Sequence, residues 1–367
     1  MKIIRNCICL VFLFFSGSLY SQILKDTADI NLIRKGVDYI YDLKFDKARD
    51  EYNKISEDYP ENPIPYLFRG IITYWEDYPL IPGSPGVPSF KGDMRKCMDL
   101  AEGECSSEDY PEYLLADLCA RGMLLMYYAD NDISMSVLSL APSTYRYIRR
   151  SFDYTREYND FYFFTGLYNY YREEYVDVHP VYKSLALLFP RGSRTKGLKE
   201  LQIASKSSIF LRADAYSYLS YIYIGYENDY EQSLVYLDSL HRIYPANMVF
   251  RTEYIKNLLL LKRYGEAESV LKSCDTLNLN NYFKACIIIL DGILEEKVRM
   301  NYRAAKDDYN SGLVYLDGYG NFADDYRAIA YFGLSRISGF YGDKANRKKY
   351  RKKALNIASF KKINFDN

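Results

Sequence analysis

The chain has 367 residues, 49% of them apolar and 26% charged, which is ample for a packed core and too apolar for a disordered chain. Basic and acidic residues number 48 each, so no overall field draws the protein to nucleic acid or to an acidic surface. Histidine is reduced to His179 and His241, which leaves no neighbours for a Ser-His or Cys-His nucleophile or a His-based metal site, while tyrosine reaches 41 residues.

In chain order, Lys2 and Arg5 precede an apolar run from Cys7 to Phe15 and a small, polar stretch to Ser21. This layout predicts a secretory signal peptide over residues 1–21, because the apolar run is too short to span a bilayer. Its removal takes away two bases and no acid, leaving a slightly acidic chain. Five cysteines follow: Cys97, Cys105, Cys119, Cys274 and Cys286. Their spacing matches no zinc pattern, so they read as small core residues, with a Cys97–Cys105 or Cys105–Cys119 bridge as the alternative.

From Asp29 to Pro60 stand Leu32, Gly36, Tyr39, Ala48, Tyr52 and Pro60. Gly36 and Ala48 are small where two helices cross closely, Tyr39 and Tyr52 fill the adjoining holes, and Pro60 stops the second helix. The pattern recurs. Phe45, Tyr230, Tyr264 and Tyr302 each stand three residues before a small one, at Ala48, Ser233, Ala267 and Ala305. Gly333 and Ala345 restore the spacing of Gly36 and Ala48, and Pro245 closes its repeat as Pro60 does.

Helical spacing of apolar residues marks Ser193–Ile209, Asp214–Ile224, Glu253–Leu261 and Arg347–Ala358. The run from Tyr216 could pass for a strand, but its neighbours on both sides are helical, so the repeat register decides for helix. Three stretches break the period: a loop over 77–93 with four prolines, a break at Pro142, and an insertion over 173–191.

Little in the sequence points to chemistry. The glycines Gly192, Gly197 and Gly225 are isolated, so no phosphate loop is formed. Asp130-Asn131-Asp132 lacks the rest of a calcium loop. Adjacent acids such as Glu173-Glu174 and Asp324-Asp325 point in different directions on a helix and read as solvated faces. The apolar stretch Pro180–Pro190, followed by Arg191, Arg194 and Lys196, reads as a lid, with peripheral membrane contact through 180–196 as the sharper alternative. The basic run from Arg347 to Lys353 reads as the polar cap of the last helix.

The spacing of Leu32, Gly36, Tyr39, Ala48, Tyr52 and Pro60, and its recurrence over most of residues 22–367, resembles the tetratricopeptide-repeat (TPR) family. Leu32 stands where that family usually has Trp, and Lys35 where it has Leu. The resemblance implies an all-α solenoid of about six to eight antiparallel helix pairs. It also implies that inner positions of the first helix of each pair line a concave groove. Carried over residue by residue, these are Phe163, Leu167, Tyr170, Tyr218, Ile222, Thr252 and Lys256.

The expectation is therefore an exported TPR-like scaffold of the bacterial periplasm or cell surface. It binds a protein or peptide and has no catalytic residues, cofactor, metal or nucleic-acid partner. A glycan-binding protein similar to the SusD-like family is the alternative, against which stand the single Trp75 and the absence of a lipid-attachment Cys. A carbohydrate enzyme of the α/α-toroid kind is the more distant one. The repeat period speaks against it, and a deep central pocket holding two carboxylates would speak for it.

Overall fold

A computed structural model describes residues 22–102, 110–178, 190–274 and 279–366. Among these residues the protein is all-helical, with sixteen α-helices stacked as eight antiparallel pairs of a TPR-like solenoid. The signal-peptide segment 1–21, His179 and Cys105 lie outside the described residues. No described helix is long and apolar enough to cross a membrane.

The pairs are α1 (Thr27–Tyr41) with α2 (Phe45–Asp58), α3 (Pro63–Glu76) with α4 (Val87–Glu102), α5 (Tyr110–Asp130) with α6 (Ser134–Ser151), and α7 (Phe161–Val178) with α8 (Arg194–Ser207). They continue as α9 (Arg212–Ile222) with α10 (Tyr230–Ile243), α11 (Met248–Leu260) with α12 (Tyr264–Lys272), α13 (Asn281–Lys297) with α14 (Tyr302–Tyr315), and α15 (Asp324–Phe340) with α16 (Lys344–Ile357).

One local device makes most of these pairs. Leu43, Asp132, Asn228, Lys262, Met300 and Gly342 all have positive φ, and each stands two residues before a second helix. Their left-handed backbone ends the first helix and turns the chain. In four pairs the next amide, from Lys44, Ile133, Arg263 or Asp343, reaches back five residues to a carbonyl at 2.8–2.9 Å. The two pairs without this turn, α3–α4 and α7–α8, carry the long connections. Side chains of Asp26, Asn62, Asn247 and Asn280 cap the first turns of α1, α3, α11 and α13.

Phe45, Tyr230, Tyr264 and Tyr302 are each the first residue of a second helix, and Ala48, Ser233, Ala267 and Ala305 are all fully buried. These small side chains allow the two helices of a pair to close on each other. At Gly36 the pressing neighbour is the next repeat: a Cβ there would sit 2.3 Å from Cζ of Phe68 and 3.3 Å from Cβ of Glu51.

Several expectations are corrected. The loop after α3 ends at Gly86, because Pro88 lies in the first turn of α4, where a missing amide costs nothing. Residues 173–178 belong to α7. Pro142 lies inside α6 without ending it; Leu138, whose carbonyl loses its partner there, is exposed to water. Ala345 is exposed and makes no close crossing, so the last pair keeps only the glycine of that spacing.

The largest departure is in the superhelix. Rather than running open, it closes on itself. The end of α1 meets the fifth and sixth pairs: Asp38 accepts from Arg212 (Nη2, 2.5 Å) and the Tyr244 hydroxyl (2.8 Å), and Asn247 donates to the Tyr41 carbonyl at 2.8 Å. Further along, Tyr78 stacks on Phe283 and meets Phe322 edge-on, while Asn280 donates to the Tyr78 carbonyl at 3.0 Å. The inner faces of the solenoid therefore oppose one another, and the expected concave groove becomes an internal chamber.

Candidate functional site

The chamber consists of three abutting cavities of about 430, 730 and 200 Å³. Tyr74, Met126, Asp130 and Tyr218 line both the first and the second. Tyr78, Ser217, Tyr221, Tyr282 and Asp325 line both the second and the third. All eight first-of-pair helices reach it, from Tyr41 on α1 to Tyr326 on α15.

The first cavity has mostly apolar and aromatic walls, including Trp75, Phe163, Phe164 and Leu167. One face is positioned by Asp160. Its buried carboxylate accepts from the amides of Ile209 (2.7 Å), Phe210 (2.8 Å) and Leu211 (3.1 Å), which fixes the chain leading into α9. Phe210 and Asp214 thereby face the cavity, and Asp214 accepts a hydrogen bond from the Tyr41 hydroxyl across the seam. Asp130, the last residue of α5, shares the cavity.

Burial pushes the carboxyls of Asp130 and Asp214 up to about 6; for Asp214 the Tyr41 hydroxyl works in the opposite sense. Neither carboxyl raises the other. The first cavity thus holds two carboxylates, the feature that the α/α-toroid alternative called for.

The second cavity is a tyrosine cage, walled by Tyr74, Tyr78, Tyr171, Tyr218, Tyr221, Tyr226 and Tyr282. The third is more polar. Lys256 is buried there and pairs with Glu253 at 2.5 Å, beside Asp325. Burial pulls the Lys256 ammonium down, but Glu253 and Asp325 outweigh it and the net shift is upward.

This third cavity is partly filled by the chain's own last residues. Phe360 packs between Tyr221 and Tyr226, with ring centroids 5.0 and 5.3 Å away, and Ile363 joins it on the wall. The contact depends on Gly225 in a π-helical turn, Tyr223–Glu227: a Cβ at Gly225 would lie 2.0 Å from Cζ of Phe360. Arg351 holds Asp366 at 3.0 Å, and the amide of Ser359 donates to Asp325 at 3.2 Å.

Of the residues named from sequence, Phe163, Leu167 and Tyr218 line the first cavity, and Thr252 and Lys256 line the third. Phe163 and Tyr218 meet edge-on at 5.4 Å. Tyr170 and Ile222 are fully buried and wall none of the three cavities; Tyr170 donates to Glu227 at 2.7 Å, in a network completed by Arg194. The apolar stretch read as a lid or membrane contact, Pro180–Pro190, lies outside the described residues up to Pro190; of its basic followers, Arg194 pairs with Glu227.

Sequence reasoning missed Tyr41, Tyr74, Trp75, Tyr78 and Asp214; of these, Tyr41, Asp214 and Tyr78 make contacts that exist only through closure of the superhelix. Asp130 carried one readable signal. An acid at the C-terminus of a helix opposes the helix dipole and calls for an explanation.

Among the described residues no group of acids, cysteines and histidines could hold a metal ion. Cys97, Cys119, Cys274 and Cys286 are free and buried. His241 stacks on Tyr254 at 4.8 Å, away from the chamber.

No family model and no curated protein matches the chain. Among the solved structures that match is human IFIT1, as a dimer with PPP-AAAA, at 12% identity and a TM-score of 0.42. The superposition covers 86% of this chain and 69% of that one.

Proposed function

We propose that the protein is a non-catalytic binding scaffold whose chamber takes up an extended, aromatic- or aliphatic-rich segment of a partner polypeptide. The observation that carries this reading is the seating of Phe360 and Ile363: one end of the chamber already receives a stretch of polypeptide. Aromatic walls offer apolar contact at low entropic cost, and tyrosine hydroxyls at the rim tolerate main-chain polar groups.

Two features support binding over catalysis and peptide over nucleic acid. Asp214 is engaged by the Tyr41 hydroxyl, which leaves Asp130 as the one carboxylate of the first cavity without a partner among the described residues. The chamber's charges are mainly acidic, with Asp130, Asp214, Glu253 and Asp325 against Lys256, which disfavours a phosphate backbone. The layout of residues 1–21 supports an exported protein of the periplasm or cell surface.

The test is selection of peptides from a displayed random library on the purified protein, followed by titration of the selected peptides against wild type and a Phe163→Ala/Tyr218→Ala variant. Peptides rich in aromatic or aliphatic residues that bind wild type and lose affinity for the variant are the expected result. Failure to enrich any peptide, with an oligosaccharide panel binding instead, would overturn the peptide reading in favour of a glycan.

A further inference from the structure

Asp130 is placed where a carboxylate is costly in three separate ways. It ends α5, at the negative pole of that helix. It faces a cavity whose other walls are largely apolar. Among the described residues it has neither a hydrogen-bond nor an ion-pair partner, whereas Asp214 in the same cavity is held by Tyr41. The chamber's Lys256 lines the third cavity, not Asp130's two, and is already engaged there by Glu253.

The rings around this carboxylate decide what could complement it. Tyr74 and Tyr218 stand with Asp130 at the junction of the two larger cavities, and Trp75 and Phe163 wall the space beyond. A metal ion would need several further oxygen, nitrogen or sulfur donors, and no such group exists among the described residues. An ammonium needs one carboxylate and aromatic faces, which attract cations through their quadrupole.

We infer that the chamber is a binding site for an alkylammonium group, with Asp130 as its counter-ion and the aromatic walls of the first cavity holding its alkyl chain. The cavity of about 430 Å³ lies within the range of small-molecule sites. The ammonium could come from a free amine or from a lysine side chain of the partner segment. In the second case the inference rests on the peptide reading above and specifies the residue that enters deepest.

Trp75, the single tryptophan, lines the cavity and reports occupancy through its fluorescence. The experiment titrates hexylammonium, hexanol and hexanoate into wild type, Asp130→Asn and Asp130→Glu, after checking that helical content is unchanged. Hexylammonium should bind wild type about tenfold or more tightly than hexanol, with hexanoate weakest. Asp130→Asn should erase that preference and leave hexanol binding unchanged, and Asp130→Glu should retain part of it. Equal affinity for amine and alcohol, or an amine preference that survives Asp130→Asn, would overturn the assignment.

A peptide from the selection that contains lysine, compared with its acetyl-lysine form, separates the two sources. Loss on acetylation points to the partner's lysine. Indifference to acetylation, together with hexylammonium binding, points to a free amine. Peptide binding that depends on Phe163 and Tyr218 but not on Asp130, with no preference for hexylammonium over hexanol, would sink this inference and leave the peptide reading standing.

Discussion

The Tyr244 hydroxyl donates to Asp38 at 2.8 Å across a sequence separation of 206. Arg212 donates to the same carboxylate at 2.5 Å, so one acid on α1 binds both helices of the fifth pair. In an open solenoid each repeat touches only its neighbours, and stability is close to a sum of local terms. The seam adds a contact between repeats that such a scheme keeps apart.

Asp38→Ala should therefore do more than lower stability. Asp38 and Arg212 are partly exposed, so solvent screens the pair and the direct loss should be about 1–2 kcal/mol. Wild type should unfold in urea as one transition, with helical circular dichroism and Trp75 fluorescence superimposed. In Asp38→Ala the two signals should separate, because the repeats carrying Trp75 lose their tie to the rest. Coincident, merely shifted curves would argue that the seam is incidental to cooperativity.

The chamber's acids give stability a pH slope. Asp130 is raised by burial to about 6, above its ordinary value of 3.8. Between those values the native state holds a proton that the unfolded chain has released, so this group's contribution is complete below about pH 4 and falls as pH rises through 6. Tyr74, Tyr78 and Tyr218, the ionisable groups that feel Asp130, have pKa values raised above the ordinary tyrosine value and stay neutral throughout. Asp130→Asn should match wild type near pH 4 and exceed it by about 1–2 kcal/mol at pH 7, with partial exposure discounted. Urea titrations at pH 4, 5.5 and 7 decide this. A constant difference across that range would rule out ionisation of Asp130 as its source.

Gly225→Ala should release the C-terminal segment. The new methyl would occupy the place of the Phe360 ring tip, and the helix around it has no reason to move. Limited trypsinolysis at Lys361 and Lys362 should accelerate several-fold, while global stability falls by only about 1–2 kcal/mol. Phe360→Ala should give the same cleavage pattern. If neither variant is cut faster, the segment is held by its other contacts, chiefly those of Asp366 with Arg351 and Arg336.

Lys262 is exposed and carries a φ of 58°. Left-handed backbone costs an L-residue about 1 kcal/mol, partly offset in glycine by its greater freedom when unfolded. Lys262→Gly should therefore stabilise the protein by about 0.5–1 kcal/mol in urea titration. A loss of stability would mean that the side chain, not the backbone, matters at this turn.

The repeat was legible because it is written in local terms. Phe45, Tyr264 and Tyr302 mark helix starts, Ala48, Ala267 and Ala305 mark close crossings, and Pro60 marks a stop; each acts over a few residues. The chamber was not legible, because Tyr41 and Asp214 become neighbours only after four helix pairs have wound round. Phe163, Leu167 and Tyr218 were found through the inner-face rule, while Tyr170 and Ile222 obey the same rule and are turned into packing instead. Pro142 misled because sequence does not reveal whether water can reach the carbonyl that a proline leaves unpaired.

Closure also fixes the census of repeats. An open array can duplicate or lose a unit, and the remainder stacks as before. Here a helix pair inserted between α2 and α9 would carry Arg212 and Tyr244 one step along the superhelix, away from Asp38, and would part Asn247 from the Tyr41 carbonyl. The closed ring therefore does not admit a different number of pairs. Divergent versions of this chain should thus vary in their connections while counting the same helices.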